Sequence, residues 1–361
     1  MLISGIQQVG IGVRDVKVAF EWYNRILGFD VPVFEEAAEA GLMLPYTGGQ
    51  PQSRHAILAL NMQGGGGLEI WQYTRRQPLA PEFSPRIGDL GIFAAKIKCH
   101  ETGAFRDNLL ALDTGPVSAP LQSPAGRRLA WLRDPWGNAF EVGEFGDWRR
   151  RSARKAVGGV FGALIGVSDM DRSLAFYRGV LGYDQVIYDR SGRQEDWEAG
   201  LGEQGEFRRV LLGHSGSRRG PFSRLLGSSE IELAQALDRA PRRIYEGRFW
   251  GDLGFIHLCF DITGMDEMRR RCADYGHPFT VDSAGSFDMG EAAGCFSYIE
   301  DPDGTLIEFV ETHRIPILKR IGWYLDLRKR SDPSRPLPDW MIGAMGLGRV
   351  RVGGRPAWRL S

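Results

Sequence analysis

Four short runs of alternating apolar and polar residues place side chains with ligand or acid–base chemistry on one face of an extended strand. In "FIHLCFDI", residues 255–262, the apolar Ile256, Leu258, Phe260 and Ile262 take one face and leave His257, Cys259 and Asp261 on the other. "LIEFV" sets Glu308 opposite Ile307 and Phe309, and "EIELAQ" and "GLEIWQY" do the same for Glu232 and Glu69. An imidazole and carboxylates on the concave side of a curved sheet suit two tasks, holding a divalent ion and moving protons near neutrality. Such a donor set accepts manganese, iron, cobalt, nickel or zinc. The stretch around His257, "GDLGFIHLCFD" (251–261), has a near copy in "GDLGIFAAKIK" (88–98), where Ala94 replaces the histidine and Lys96 follows two residues on. An ammonium beside carboxylates neutralises them much as a metal would, and competes with one.

These strands belong to a larger repeat. "IGVRDVKVAFEWYNRILGFD" (11–30) returns as "IGVSDMDRSLAFYRGVLGYD" (165–184), and "DPWGNAFEV" (134–142) returns as "DPDGTLIEF" (301–309). Offsets of this size mean a repeat of whole domains rather than a solenoid. Each half doubles again. Val9, Ile11 and Val13 alternate along a strand that leads into a helix from about Val16 to Leu27, stopped by Gly28. Extended segments follow at 29–34, 55–62 and 67–73, around a glycine turn at 64–67. The plan recurs as a strand at 91–98, a helix at 102–112 and strands near 117–122, 128–133 and 138–145. The expected architecture is therefore α+β: four strand–helix–three-strand units in two tandem barrel-like domains, 1–146 and 157–312, joined by a charged linker at 147–156. The tail, 313–361, has Ile317, Leu318, Ile321, Tyr324, Leu325 and Arg328 at helical spacing. A helix there packs on its own domain or on a partner subunit in a homodimer.

Bulk composition narrows the classes. Lysine plus arginine and aspartate plus glutamate both number 45, so no general attraction to nucleic acid or an anionic membrane is expected. Four cysteines, Cys99, Cys259, Cys272 and Cys295, form no C-x-x-C pair and fit a reducing, cytoplasmic setting. The N-terminus is not patterned as a signal peptide. The apolar stretch at 157–167 is about half the length of a bilayer span.

The repeated motifs resemble the vicinal oxygen chelate superfamily, which includes glyoxalase I, methylmalonyl-CoA epimerase, drug-resistance proteins and type I extradiol dioxygenases. The likeness runs over roughly residues 3–312. It implies that metal ligands come from the inward residue of a unit's first strand and the inward carboxylate of its last strand. Those positions hold Gln8, Glu69, Ala94 and Glu141 in the first half, and Gly162, Glu232, His257 and Glu308 in the second. With each half taken as one barrel, the first is metal-free and the second holds a divalent ion through Glu232, His257 and Glu308. Gly162 then leaves a coordination position open. The implied reaction is that of a metal-dependent lyase or isomerase acting on a small carbonyl substrate, with Glu308 as ligand and base. Two alternatives stand beside it. A ring-cleaving dioxygenase matches Tyr298, which occupies that family's catalytic tyrosine position. It also requires histidines where this chain has Gly162, Arg209 and Met289. A non-catalytic binding protein would use Trp71 and Tyr73 to line an apolar cavity.

Overall fold

The computed structural model describes residues 1–112, 114–152, 155–283, 287–289, 292–318 and 323–352. The first unit comprises β1 (Leu2–Gly12), α1 (Val16–Leu27), β2 (Val31–Glu39), β3 (Ser53–Leu60) and β4 (Gly67–Tyr73). The second comprises β5 (Gly91–Cys99), α2 (Thr102–Ala111), β6 (Leu121–Gln122), β7 (Arg128–Arg133) and β8 (Ala139–Glu144). The third runs β9 (Val157–Gly166), α3 (Met170–Gly179), β10 (Gln185–Gly192), α4 (Glu195–Leu201), β11 (Phe207–Gly213), α5 (Ser223–Leu226) and β12 (Glu230–Ala236). The fourth holds β13 (Gly254–Thr263), α6 (Met265–Asp274), β14 (Val281–Asp282), β15 (Phe287–Met289), β16 (Ala292–Glu300) and β17 (Leu306–Leu318), followed by β18 (Trp323–Asp326) and α7 (Asp339–Met345).

The helices of the first two units form where the sequence expects them, for local reasons. Asp15 caps α1 by accepting the amides of Lys17 and Val18 at 2.9 and 3.0 Å, and Gly28 ends the helix at φ 70°. Val16, Ala19, Tyr23, Ile26 and Leu27 turn one stripe of α1 into the core.

The four units build two curved sheets, but not in the expected combination. One sheet runs β14-β16-β17-β13-β1-β4-β3-β2, with β15 and β18 attached; the other runs β10-β11-β12-β9-β5-β8-β7-β6. The first unit therefore shares a sheet with the fourth, and the second with the third. Each sheet thus draws one unit from each half, 1–146 and 157–312, where a barrel within each half was expected. The junctions are antiparallel, β1 on β13 and β5 on β9. The reason lies in the duplicated code. Gly12 and Gly166 end the two "IG" strands, and each lies so close to the backbone of a "GDLG" turn that a Cβ would sit 2.0 Å from the Asp252 carbonyl oxygen or 1.9 Å from that of Asp89. Either turn fits either strand, so local sequence alone does not choose the pairing.

The halves still meet, on the convex side. Residues from α1, α2, α3 and α6 and from the outer faces of both sheets form one continuous core. Within it the Tyr23 hydroxyl donates to Asp134 at 2.6 Å and the Tyr177 hydroxyl to Asp301 at 2.9 Å, joining the helix of each odd unit to the turn of the next.

The tail departs from expectation. Read as helical, residues 315–318 instead continue β17, and β18 pairs back on it with Arg314 opposite Asp326. Residues 319–322, including Ile321, lie outside the described residues, as does the basic end from 353 onward. Pro316 removes a backbone donor that a helix interior would use, and β16 already carries β17 outward as far as Arg314. Among the described residues of the tail, helix enters as 3-10 turns at Leu327–Lys329 and Gly346–Gly348 and as α7, whose Ile342 packs with Leu225, Leu226, Leu327 and Leu337. Among the described residues, no helix is long and apolar enough to cross a membrane.

Candidate metal centre

The pairing of β1 with β13 decides which inward residues meet. Gln8 lies opposite Cys259, and Gly10 opposite His257. β4 and β17 flank this pair in parallel, which brings Glu69 and Glu308 beside the imidazole. A register shift between Gly10 and Ile11 turns Ile256 to the concave side with Trp71, Trp250 and Tyr298. This corrects the simple alternation, which put Ile256 on the helix face.

His257 is fully buried, and its Nε2 lies 3.0 Å from Glu308 Oε2 and 3.3 Å from Glu69 Oε2. Neither ring nitrogen has a hydrogen-bond partner, and Gln8 Oε1 is a second buried orphan. The Gln8 amide nitrogen donates to both carboxylates at 3.3 Å, and turning the amide end for end aims its oxygen at the same point. Ligand atoms about 2.1 Å from one ion stand roughly 3.0 Å apart at right angles and 3.4 Å apart in a tetrahedron. The observed spacing matches that range, so Gln8, Glu69, His257 and Glu308 fit a divalent metal. Burial pulls the imidazole pKa down, but Glu308 and then Glu69 outweigh it and hold it at about 9. A proton can therefore stand where the metal would. Tyr298 packs edge-on to His257 at 5.5 Å between ring centroids. Burial, reinforced by Glu308 and Glu69, holds its phenol well above the ordinary range, so it stays protonated.

Glu232 is not part of this cluster. β12 pairs with β9, so Glu232 belongs to the other sheet and meets Lys96 Nζ at 2.5 Å and the Arg209 guanidinium. Its place beside His257 is taken by Glu69. The reason is that the fourth unit shares its sheet with the first unit and not with the third. Gln8 was the available signal, because it offers a ligand oxygen where Gly162 offers none. Gly162 lies opposite Lys96 on β5, on the other sheet from His257. Arg209, matched to an acid–base histidine by the dioxygenase reading, is buried between Glu232 and Asp196. Nothing is described of the Met289 side chain.

The second concave face is closed by charge rather than by an open donor set. Lys96 reaches Glu230 at 2.9 Å and Glu141 at 3.3 Å as well as Glu232, and Arg127 forks onto both Glu230 oxygens at 2.7 Å. Burial drives the Glu141 carboxyl up, with Lys96 opposing, to about 7, whereas Arg209 and Lys96 overcome burial and hold Glu232 well below its usual range. Trp131, Trp197 and Phe207 fill the rest.

The chain belongs to the Glyoxalase/Bleomycin resistance protein/Dioxygenase superfamily, whose model matches residues 5–142 and again 160–309. Among solved structures, a putative dioxygenase from Bacillus subtilis subsp. subtilis str. 168 is 15% identical with a TM-score of 0.57, covering 98% of this chain and 99% of its own. Glyoxalase I from Zea mays is 13% identical with a TM-score of 0.51, covering 85% and 92%. Identities this low establish the shared fold. No curated protein gives a significant match.

Proposed function

We propose that this protein is a divalent-metal-dependent lyase or isomerase of the glyoxalase type, acting on a small carbonyl substrate at Gln8, Glu69, His257 and Glu308. The observation that carries the reading is the convergence of four inward donors from two units on one point, with His257 Nε2 and Gln8 Oε1 left without hydrogen bonds. When bound there, a divalent ion supplies a Lewis acid for vicinal oxygens of the substrate. Glu308 takes the proton from the carbon beside the carbonyl, and the Tyr298 phenol donates a hydrogen bond to a substrate oxygen. Trp71, Trp250 and Tyr73 keep water away from the exchange. Tyr46, packed against this aromatic cluster, donates its hydroxyl to Glu300 Oε1 at 2.9 Å and lies 2.7 Å from the Thr280 hydroxyl.

The ring-cleavage alternative draws on Tyr298 but calls for a second imidazole, and the first-strand position of this cluster is Gln8. One set of measurements separates the readings. His257→Ala and Glu69→Ala should each cut the affinity for a divalent ion at this site, while Glu232→Ala should leave it unchanged. Turnover should persist without oxygen, survive exchange of the metal and vanish in Glu308→Gln. Cleavage of a catechol with stoichiometric oxygen uptake would replace this reading with the dioxygenase. A ligand bound tightly and returned unaltered would favour a binding protein.

A further inference from the structure

A second cluster of potential ligands among the described residues lies on the far part of the same sheet, where β17 has outrun β13. Their pairing ends at Asp261 opposite Val310, and beyond it β17 is held by β16 and, further on, by β18. Glu311 and His313 share a face of β17, and Cys295 stands opposite Glu311 on β16. Cys295 Sγ lies 3.7 Å from His313 Nε2 and 3.9 Å from Glu311 Oε2, and the last two atoms are 3.9 Å apart. This is a near-equilateral triangle of one sulfur, one nitrogen and one oxygen.

We infer that Cys295, Glu311 and His313 form a second metal site, selective for zinc, distinct from the centre at His257. Zinc takes sulfur at about 2.3 Å and imidazole or carboxylate at about 2.0–2.2 Å. Donors at those lengths stand roughly 3.4–3.6 Å apart in a tetrahedron and 3.6–3.8 Å apart in a plane, so the sulfur–nitrogen side fits as it stands and the other two must close by a few tenths of an ångström around the ion. The thiolate directs the choice away from magnesium, calcium and manganese. Glu311 is already oriented for the task, because its carboxylate accepts the amides of Gly264 at 2.8 Å and Met265 at 3.1 Å. That hydrogen bonding fixes the ligand as outer partners do in metal sites. It also joins the site to the start of α6, whose cap residue Gly264 has no side chain to offer. Three protein ligands leave one position for water. The role of the ion is to clamp the outer part of the β16–β17 hairpin to the first turn of α6.

Cobalt distinguishes this site from the first, since a thiolate ligand gives a near-ultraviolet charge-transfer band that oxygen and nitrogen ligands do not. Cys259, buried beside the first centre, is the necessary control. Metal-depleted full-length protein titrated with cobalt should develop the band, and zinc should abolish it. The band should persist in His257→Ala and Cys259→Ser and disappear in Cys295→Ser and His313→Ala. Cys295→Ser changes one atom, and circular dichroism checks that the variant folds. Zinc should raise the Tm of His257→Ala and lose that effect in the His257→Ala/Cys295→Ser double variant. Absence of the band in the folded wild-type chain would overturn the site. So would its loss in Cys259→Ser with retention in Cys295→Ser.

Discussion

Asp261 follows His257 and Cys259 along the same face of β13, and it is buried with Oδ1 lacking any hydrogen bond. Burial raises its carboxyl to about 7, Ser4 opposing and Glu311 adding to the shift. The folded chain therefore holds this proton between about pH 4 and 7 while the unfolded chain releases it. Stability from this group falls as pH rises through that window and stays low above it. Asp261→Asn should stabilise the protein at pH 8 by on the order of 2–4 kcal/mol and change little at pH 4. Urea unfolding at both values tests this; equal effects would mean that Asp261 does not titrate there. At this scale much of the candidate site was legible. Alternation alone turned His257, Glu308 and Glu69 inward. What alternation does not carry is which inward residues share a cavity, so a half-by-half reading points to Glu232 where the fold supplies Glu69.

Elements were the most legible level, because a helix or strand is written in adjacent residues. The helix from Val16 to Leu27, its stop at Gly28 and the strand expected at 91–98, which runs one residue further to Cys99, all follow from local chemistry. The tail strand did not, since the same apolar spacing serves a short helix and only the waiting edge of the sheet decides. The bulge at Gly10 is another feature with no local signature. A Cβ on Gly10 would lie 2.4 Å from His257 Cε1, so the glycine makes room for the imidazole. Gly10→Ala should push the ring out of line and weaken metal binding at the His257 centre roughly 10- to 100-fold, although Gly10 is no ligand. Gly41, with nothing within 4 Å of an added Cβ, is the matched control. Calorimetric titration of both variants checks the claim, and equal affinities would return Gly10 to the status of an ordinary strand glycine.

Across the whole molecule, the two sheets are held apart in identity by what fills them. Lys96 comes from the second unit, while Glu230 and Glu232 come from the third. Lys96→Met should leave buried carboxylates without their cation and destabilise the chain by about 3–5 kcal/mol. Metal affinity at the His257 centre should be unaffected, because that centre lies on the other sheet. If denaturant melts and metal titrations show both properties falling together, the separation of the two sites is wrong. The nested pairing also sets an order of events on the ribosome. β4 is complete at residue 73, but β13 begins only at residue 254. At roughly 5–20 residues per second, the first unit waits on the order of 10–40 seconds for its partner strand. During that wait β5 emerges first, carrying the same "GDLG" entry as β13, and competes for the open edge of β1. β9 arrives next and can claim β5 for the inner sheet, freeing β1 for the last unit. The tempo of synthesis, and any chaperone that shields β1 meanwhile, thus bears on how much chain reaches the native arrangement.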